Sequence, residues 1–407
     1  MLRYNPAFDG LRALAVVAVL AFHMDALGGG YLGVDMFLVL SGFLITSLML
    51  SEHQRTGAIS IPAFYLRRVY RLLPGFLLFL AIGAVLVLTL RGKQNQINFF
   101  ENALAALLYV NNYFRVYHRT PNEGGSWLGH VWSLSLEEQF YLIWPLCLVV
   151  LCTRPRLRAR LPGLLLAAVG CVVGWRLLLI AGGADDQRIY FGLDTRADSL
   201  LMGCALAALR QTGYRWKPVA PPSARSDAFS PGLAPRAIAE PEPSAPVARR
   251  LAALGPWAFA ALLWLAVVAP ALDVEITWLD RAGYTLVALL AALLILSADQ
   301  EGPRWWRSLL ASKPLAGLGR ISYGFYLWHY PVAAVSAARV GPALGRPAAV
   351  ACATAASIAI AAFSARFVER PIQRRCPAWA RNAAAAPAAT APERTLDLGA
   401  STQRGQA

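Results

Sequence analysis

Apolar runs recur along the chain from residue 11 to residue 368, each close to the roughly 20 residues a helix needs to cross a bilayer. A segment surrounded by hydrocarbon must bond its own backbone groups, so a chain made of such runs folds as a bundle of spanning helices. Only 15% of the residues are charged, against about a quarter in an ordinary soluble domain, and the mean hydropathy is +0.47. That balance argues against a water-soluble globule. The formal net charge of +15 would suit a nucleic-acid binder, but Lys and Arg sit in short loops between apolar runs and on no soluble domain. The charge therefore reports topology, and no nucleic-acid partner is expected.

The spanning candidates are residues 11–27, 33–51, 72–90, 131–153, 161–182, 190–211, 252–272, 279–298, 319–341 and 347–368. A further stretch, 99–114, carries Glu101, Asn102, Asn111 and Asn112, each costly against lipid. Without it there are ten crossings, and the basic residues collect on one side as the positive-inside rule requires. That side holds 52–71 with Arg55, Arg67, Arg68 and Arg71; 154–160, reading RPRLRAR; 212–251; 299–318 with Arg304, Arg307 and Lys313; and the tail with Arg370, Arg374, Arg375 and Arg381. The opposite side receives 28–32, 183–189 with Asp185 and Asp186, and 273–278 with Asp273 and Glu275. Counting 99–114 as a crossing would place RPRLRAR outside, so it is read as a re-entrant or interfacial helix in an outer loop from 91 to 130. Arg91, Lys93, Arg115 and Arg119 in that loop are a mild objection. The expected fold class is all-α: a multi-pass helical bundle in the cytoplasmic (inner) cell membrane, with about ten transmembrane helices and both termini cytoplasmic.

Residues 1–372 are expected to form one membrane domain. Residues 215–250, rich in Pro, Ala, Ser and Arg, and the tail 373–407, Ala-rich from 382, read as disordered cytoplasmic segments. The N-terminus has no small-residue cleavage signature, so the first apolar run is expected to stay as a membrane helix. The cysteines Cys147, Cys152, Cys171, Cys204, Cys352 and Cys376 show no C-x-x-C spacing, which predicts neither a disulfide framework nor a metal site. No internal repeat is visible, which weakens a transporter reading.

Charged residues inside membrane helices are the informative ones, because an ionised group at mid-bilayer costs several kcal/mol unless paired or hydrated. Arg12 and His23 lie on the first helix eleven residues apart, which puts them on one face about 16 Å apart along the axis. Arg12 is expected at the cytoplasmic edge, where the alternative is a snorkelling anchor. His23 is expected in the outer half, where the alternative to a tunable base is a hydrogen-bonded bundle histidine. At the depth of His23 the sequence places Asp35 on the second helix, Glu137 and Glu138 on the fourth crossing, and Asp194, Arg196 and Asp198 on the sixth. This suggests a proton-transfer site in a polar cavity, with structural ion pairing as the competing explanation.

At the cytoplasmic edge FYLRRVYRLLP brings together Arg67, Arg68 and Arg71. Arg67 and Arg71 share a helix face at i,i+4, a cluster suited to clamping phosphates. An inside anchor or a contact with anionic lipid is the alternative.

Seven segments carry a resemblance: NPAFDGLRALAVVAVLAFH, GVDMFLVLSGFLIT, FYLRRVYRLLP, HVWSLSLEEQFYLIWP, RADSLLMGCALA, ISYGFYLWHYPV and FVERPIQ. In this order, from residue 5 to about 372, they resemble acyltransferase family three, the integral membrane O-acyltransferases. The resemblance implies ten transmembrane helices and transfer of an acyl group, usually acetyl, from acyl-CoA to a hydroxyl of an extracytoplasmic or lipid-linked glycan. Some members acylate macrolides or other small molecules. Carried over, the motif arginine and histidine are Arg12 and His23, the basic cluster is Arg67, Arg68 and Arg71, and the motif glutamate is Glu137. Leu38 stands where the family often has a second Phe. No esterase-like domain follows residue 372, so a stand-alone transferase is expected.

These readings converge on one arrangement. Arg12, Arg67, Arg68 and Arg71 would hold the phosphates of acetyl-CoA, a co-substrate and not a tightly bound cofactor, while its arm threads toward His23. His23 would act as general base on the acceptor hydroxyl, oriented by Asp35 or Glu137, or would carry a transient acetyl group. Arg196, Asp198, His329 and Trp132 are further candidates for lining the substrate cavity. The acceptor is expected to be a carbohydrate or another small-molecule hydroxyl, with a non-enzymatic transporter as the remote alternative.

Overall fold

The computed structural model describes residues 4–118, 127–213, 246–271, 279–299 and 302–382. All regular structure among these residues is helical. In chain order the helices are α1 (Pro6–His23), α2 (Leu32–Thr56), α3 (Ile61–Leu90), α4 (Lys93–Leu107), α5 (Asn111–Tyr117), α6 (Trp132–Thr153), α7 (Pro155–Ala159), α8 (Leu161–Ala181), α9 (Asp186–Phe191) and α10 (Leu193–Gly213). After the undescribed 214–245 come α11 (Pro246–Ala253), α12 (Gly255–Ala271), a π-helical turn Leu279–Gly283 leading into α13 (Tyr284–Ala298), α14 (Arg304–Leu310) and α15 (Lys313–Arg320). The described chain closes with α16 (Ser322–Arg339), α17 (Gly341–Ser364), a π-helical turn Ala365–Glu369, α18 (Arg370–Arg374) and α19 (Ala378–Asn382).

Seven helices among the described residues are long and apolar enough to cross a membrane. The other three expected crossings are present as helices of different character. α12 has 17 residues, α10 carries Asp194, Arg196 and Asp198, and α16 carries His329. The chain is a multi-pass membrane protein. Its helices differ in how much of them faces protein: 78% of the apolar window of α2 is buried inside the bundle, against 17% for α8. α2 is therefore the central post and α8 lies at the lipid-facing periphery. α2 and α10 touch backbone to backbone. A Cβ added to Gly42 would stand 2.0 Å from the Leu200 carbonyl oxygen, and one added to Gly203 would stand 2.0 Å from that of Val39. Small residues allow the close approach that drives helix association where no hydrophobic effect operates.

Local sequence explains the ends. Asn5 caps α1 by accepting a hydrogen bond from the Ala7 amide at 3.0 Å, and Pro6 occupies the first turn, where no amide is needed. Gly57, at φ 76°, terminates α2 in the left-handed conformation that favours glycine. Pro62 then opens α3. The basic cluster is thus not a loop: Arg67, Arg68 and Arg71 belong to the first three turns of α3, eleven residues ahead of the expected span start at 72.

The stretch 99–114 resolves into α4 and α5, of 15 and 7 residues, each short of the roughly 20 needed to cross. Their asparagines face protein. Asn112 Nδ2 donates to the Phe191 carbonyl at 3.1 Å, Gln139 Nε2 donates to Asn112 Oδ1 at 2.8 Å, and Asn111 is fully buried. The first ten residues of the expected tail also depart from the prediction. Residues 373–382 are ordered, with Cys376 and Ala380 buried against Ala63, Leu66 and Tyr70 of α3, and Arg67 donating to the Ala380 carbonyl at 2.7 Å. The expected disordered loop 215–250 lies outside the described residues except for 246–250, which start α11; the outer loop 273–278 and residues 383–407 also lie outside.

Candidate active site

A cavity of about 410 Å³ lies among α1, α2, α3, α6 and α16. On α2 its wall runs from Val34 to Glu52, about 27 Å of helix axis at 1.5 Å per residue. The cavity is therefore long and narrow. α6 lies alongside α2, tied to it by Ser41 Oγ donating to Glu137 Oε1 at 2.6 Å and by Trp144 Nε1 donating to Thr46 Oγ1 at 2.8 Å. Phe37, Leu38, Ile45 and Met49 make much of the wall apolar.

Four arginines, Arg12, Arg67, Arg68 and Arg71, converge on this space from α1 and α3. Charges in such a position need partners, and three have carboxylates. Arg12 Nη1 bonds Asp9 Oδ1 at 2.8 Å, Arg67 pairs with Glu52 at 3.5 Å, and Arg68 Nη2 bonds Glu138 Oε1 at 2.6 Å. Arg68 also lies over the Tyr141 ring, 3.6 Å from its centroid, a cation–π contact. Its Nε is buried with no partner. The Arg71 guanidinium is exposed to the cavity and has no hydrogen-bond or ion-pair partner among the described residues. Arg12 is held in place by its own turn, because Gly10 packs so closely on α14 that an added Cβ would stand 2.0 Å from the Leu310 carbonyl oxygen.

At the far end of the wall Ser133 and Tyr326 face each other, their hydroxyl oxygens 2.6 Å apart, and the Tyr326 hydroxyl also donates to the His130 carbonyl at 2.9 Å. Behind Tyr326 stand three of the chain's five histidines. The His329 ring centroid is 5.3 Å from that of His23 and 5.2 Å from that of His130. Tyr330 packs against His23 at 4.7 Å and His130 at 5.1 Å. His130 and His329 are buried, at 2% and 0% exposure, and each keeps one ring nitrogen without a partner, Nδ1 of His130 and Nε2 of His329. An unsatisfied buried polar atom costs about 1–3 kcal/mol, so each such atom needs a reason to persist, and strain, a catalytic role or a bound water or ion are the usual ones.

The expected grouping of carboxylates around His23 is corrected here. Asp35 is fully buried, but its Oδ1 accepts from Arg196 Nη2 at 2.6 Å and from Ser199 Oγ at 3.1 Å. Glu137 lines the arginine cavity, bonded to Ser41. Neither carboxylate has a hydrogen bond to His23. Arg196 and Asp198 do not line the cavity. Arg196 pairs with Asp35 and sits 3.5 Å from the Tyr284 ring centroid, while Asp198 pairs with fully buried Arg176 at 3.0 Å and bonds Thr285. They form an ion network joining α2, α8, α10 and α13. Asp194 forms a separate pair with Arg188. Trp132 packs on Tyr190 and Phe191 at 4.9 and 5.0 Å and lines no part of the cavity. His329 does not line the cavity either, nor does His23; the two rings stand together behind Tyr326. His130, Tyr326 and Tyr330 were missed. Their signal in the sequence was a histidine just ahead of VWSLSLEEQ and two tyrosines flanking LWH.

Residues 5–366 match a family model described as an acyltransferase domain. The chain belongs to acyltransferase family three. Similar members include the O-acetyltransferase OatA of Staphylococcus aureus strains NCTC 8325 and COL, each 34% identical over 342 residues, which cover 81% of this chain and 51% of the relative. The chain thus spans about half the length of these curated relatives. No solved structure matches it. Within the family match fall Arg12, His23, Arg67, Arg68, Arg71, Glu137, His130 and His329.

Proposed function

We propose that the protein is a membrane O-acyltransferase that moves an acetyl group from cytoplasmic acetyl-CoA to a hydroxyl of an extracytoplasmic or lipid-linked carbohydrate. The observation that carries this reading is a long cavity with arginines along one part and Ser133 and Tyr326 at its end, with His23, His130 and His329 clustered behind Tyr326 and outside the lining. CoA has phosphates at one end, a thin arm, and the thioester at the other end. Arg71 and the unpartnered Nε of Arg68 offer donors to the phosphates, and the apolar wall accommodates the arm. The thioester then reaches Ser133 and Tyr326, with His23 beyond them as general base for the acceptor hydroxyl or as transient acyl carrier. OatA relatives, named as O-acetyltransferases, support acetyl as the group moved. The cell membrane location and the cytoplasmic termini rest on the placement of RPRLRAR and the tail arginines.

Membranes carrying the protein, incubated with labelled acetyl-CoA, are expected to yield a labelled glycan. Label on a macrolide or another small molecule would replace the carbohydrate acceptor, and absence of any acetylated product would overturn the reading. Direction is checked by reporter fusions after residues 120, 158 and 380, with signals expected outside, inside and inside. An external signal at 158 would invert the scheme.

Among the arginines, Arg71 is expected to matter most for the donor, since its guanidinium has no partner among the described residues to satisfy first. Charge-assisted hydrogen bonds contribute about 1.5–3 kcal/mol, so Arg71→Ala should raise KM for acetyl-CoA roughly tenfold to hundredfold at 1.4 kcal/mol per decade. KM for the acceptor should change little. Lysine should restore only part, because it keeps the charge but loses the planar fork. Unchanged donor KM with reduced membrane abundance would assign Arg71 to anchoring instead.

A further inference from the structure

The base at residue 23 lacks the carboxylate partner that a triad would give it. Asp35 is bonded to Arg196 and Glu137 to Ser41. What does stand beside the His23 ring is the ring of His329. We propose that His329 is the positioning residue for His23, its Nε2 accepting the N–H of the His23 imidazole and so doing the work of the carboxylate in a Ser-His-Asp arrangement. The inference rests on the reading of His23 as the base.

His329 Nδ1 lies 2.6 Å from the Tyr326 carbonyl oxygen. A carbonyl only accepts, so Nδ1 carries the hydrogen, and the neutral ring has its lone pair on Nε2. That atom is buried and has no donor. Two imidazoles are close enough to serve it. His130, at 5.2 Å between centroids, has no N–H to give, because its Nε2 already meets the Leu327 carbonyl at 3.1 Å and its Nδ1 is the lone-pair position. His23, at 5.3 Å, has both ring nitrogens uncommitted among the described residues, so the N–H···Nε2 bond is not formed in this structure; centroids so spaced leave room for a bond of about 3 Å once the His23 ring turns toward His329. A neutral acceptor also suits the setting. A second buried carboxylate would add a desolvation cost of several kcal/mol where the membrane offers no water to offset it, whereas an imidazole adds no charge.

The step balances without further reactants. The acceptor hydroxyl gives its proton to the free nitrogen of His23 while its oxygen bonds to the thioester carbonyl carbon. The C–S bond breaks. The His23 imidazolium, its other N–H held on His329 Nε2, passes the proton to the leaving thiolate and yields free thiol. Both histidines end as they began.

Membranes carrying His329→Phe, His329→Gln and His329→Ala test this with labelled acetyl-CoA. Phenylalanine keeps the ring volume but removes the acceptor, and is expected to lower kcat about 10–100-fold, the cost typical of losing the group that orients a working imidazole. KM for donor and acceptor should stay near wild type. Glutamine, which retains an acceptor oxygen, should recover part of the loss, and added imidazole should rescue His329→Ala. If the phenylalanine variant fails to reach the membrane folded, the comparison of His329→Gln with His329→Ala, with and without imidazole, decides alone. Wild-type kcat in a folded His329→Phe protein overturns the proposal, as do equal losses for phenylalanine and glutamine with raised KM and no imidazole rescue. Failure of the underlying reading is separate and visible: there His23→Ala would itself turn over normally.

Discussion

Alanine in place of His23 is expected to lower acyl transfer by about 100-fold or more, the scale of a lost general base, while the protein stays folded in the membrane. Both halves follow from where the residue sits. His23 is the last residue of α1, half-buried, and its imidazole makes no hydrogen bond among the described residues. Its removal costs ring contacts with Phe22, His329 and Tyr330 but breaks no ion pair and leaves no charge unpaired. A side chain free of structural hydrogen bonds, beside an unpartnered buried nitrogen, is available for chemistry. Turnover of labelled acetyl-CoA is measured together with membrane abundance and the elution profile in detergent. A folded His23→Ala protein with near-normal turnover would make this histidine a packing residue and move the base to His329 or His130.

How much of this was legible in the sequence depends on what sets each feature. The helical class and the crossings follow from the hydrocarbon solvent, which leaves a spanning chain no other economical way to satisfy its backbone, and the helices fall where the apolar runs lie. Their ends were less legible. Hydropathy marks where lipid begins, but caps decide where a helix begins, so α3 starts at Ile61, eleven residues before residue 72, with Pro62 in its first turn, and carries the arginines with it. Depth was legible too, since Arg12 and His23 are separated by a fixed rise per residue. Which helices are neighbours was not. Asp35 meets Arg196 across 161 positions because Gly42 and Gly203 let α2 and α10 close on each other, and no periodicity reports that pairing. The depth of Glu137 was misjudged: it lies in the arginine cavity, seven residues along the chain from His130, with its carboxylate bonded to Ser41 on the adjoining helix. His130 escaped notice because it stands just outside the run 131–153, where a residue reads as loop and not as cavity wall.

Arg196→Met is expected to destabilise the bundle by about 3–5 kcal/mol, the cost of leaving one partner of a buried ion pair without the other. Asp35 is 0% exposed and its Oδ1 depends on Arg196 at 2.6 Å, with Ser199 at 3.1 Å as its other donor among the described residues. Arg196 in turn lies between Asp35 and the rings of Tyr284 and Tyr190, so methionine keeps much of the apolar packing and removes chiefly the charge. The carboxylate left behind is buried and has no nearby cation to spare, since Arg176 is already bonded to Asp198, Thr285 and the Thr195 carbonyl. Adding Asp35→Leu removes the orphaned charge, and replacing a whole buried pair by apolar groups is often neutral or stabilising. The double variant should therefore regain most of the folded yield and thermal stability that the single variant loses, read by detergent-phase melting and membrane abundance. Recovered stability with recovered turnover assigns the pair to the scaffold that holds α2 against α10. A double variant that folds but does not transfer would return Arg196 and Asp35 to the chemistry, where the sequence first placed them.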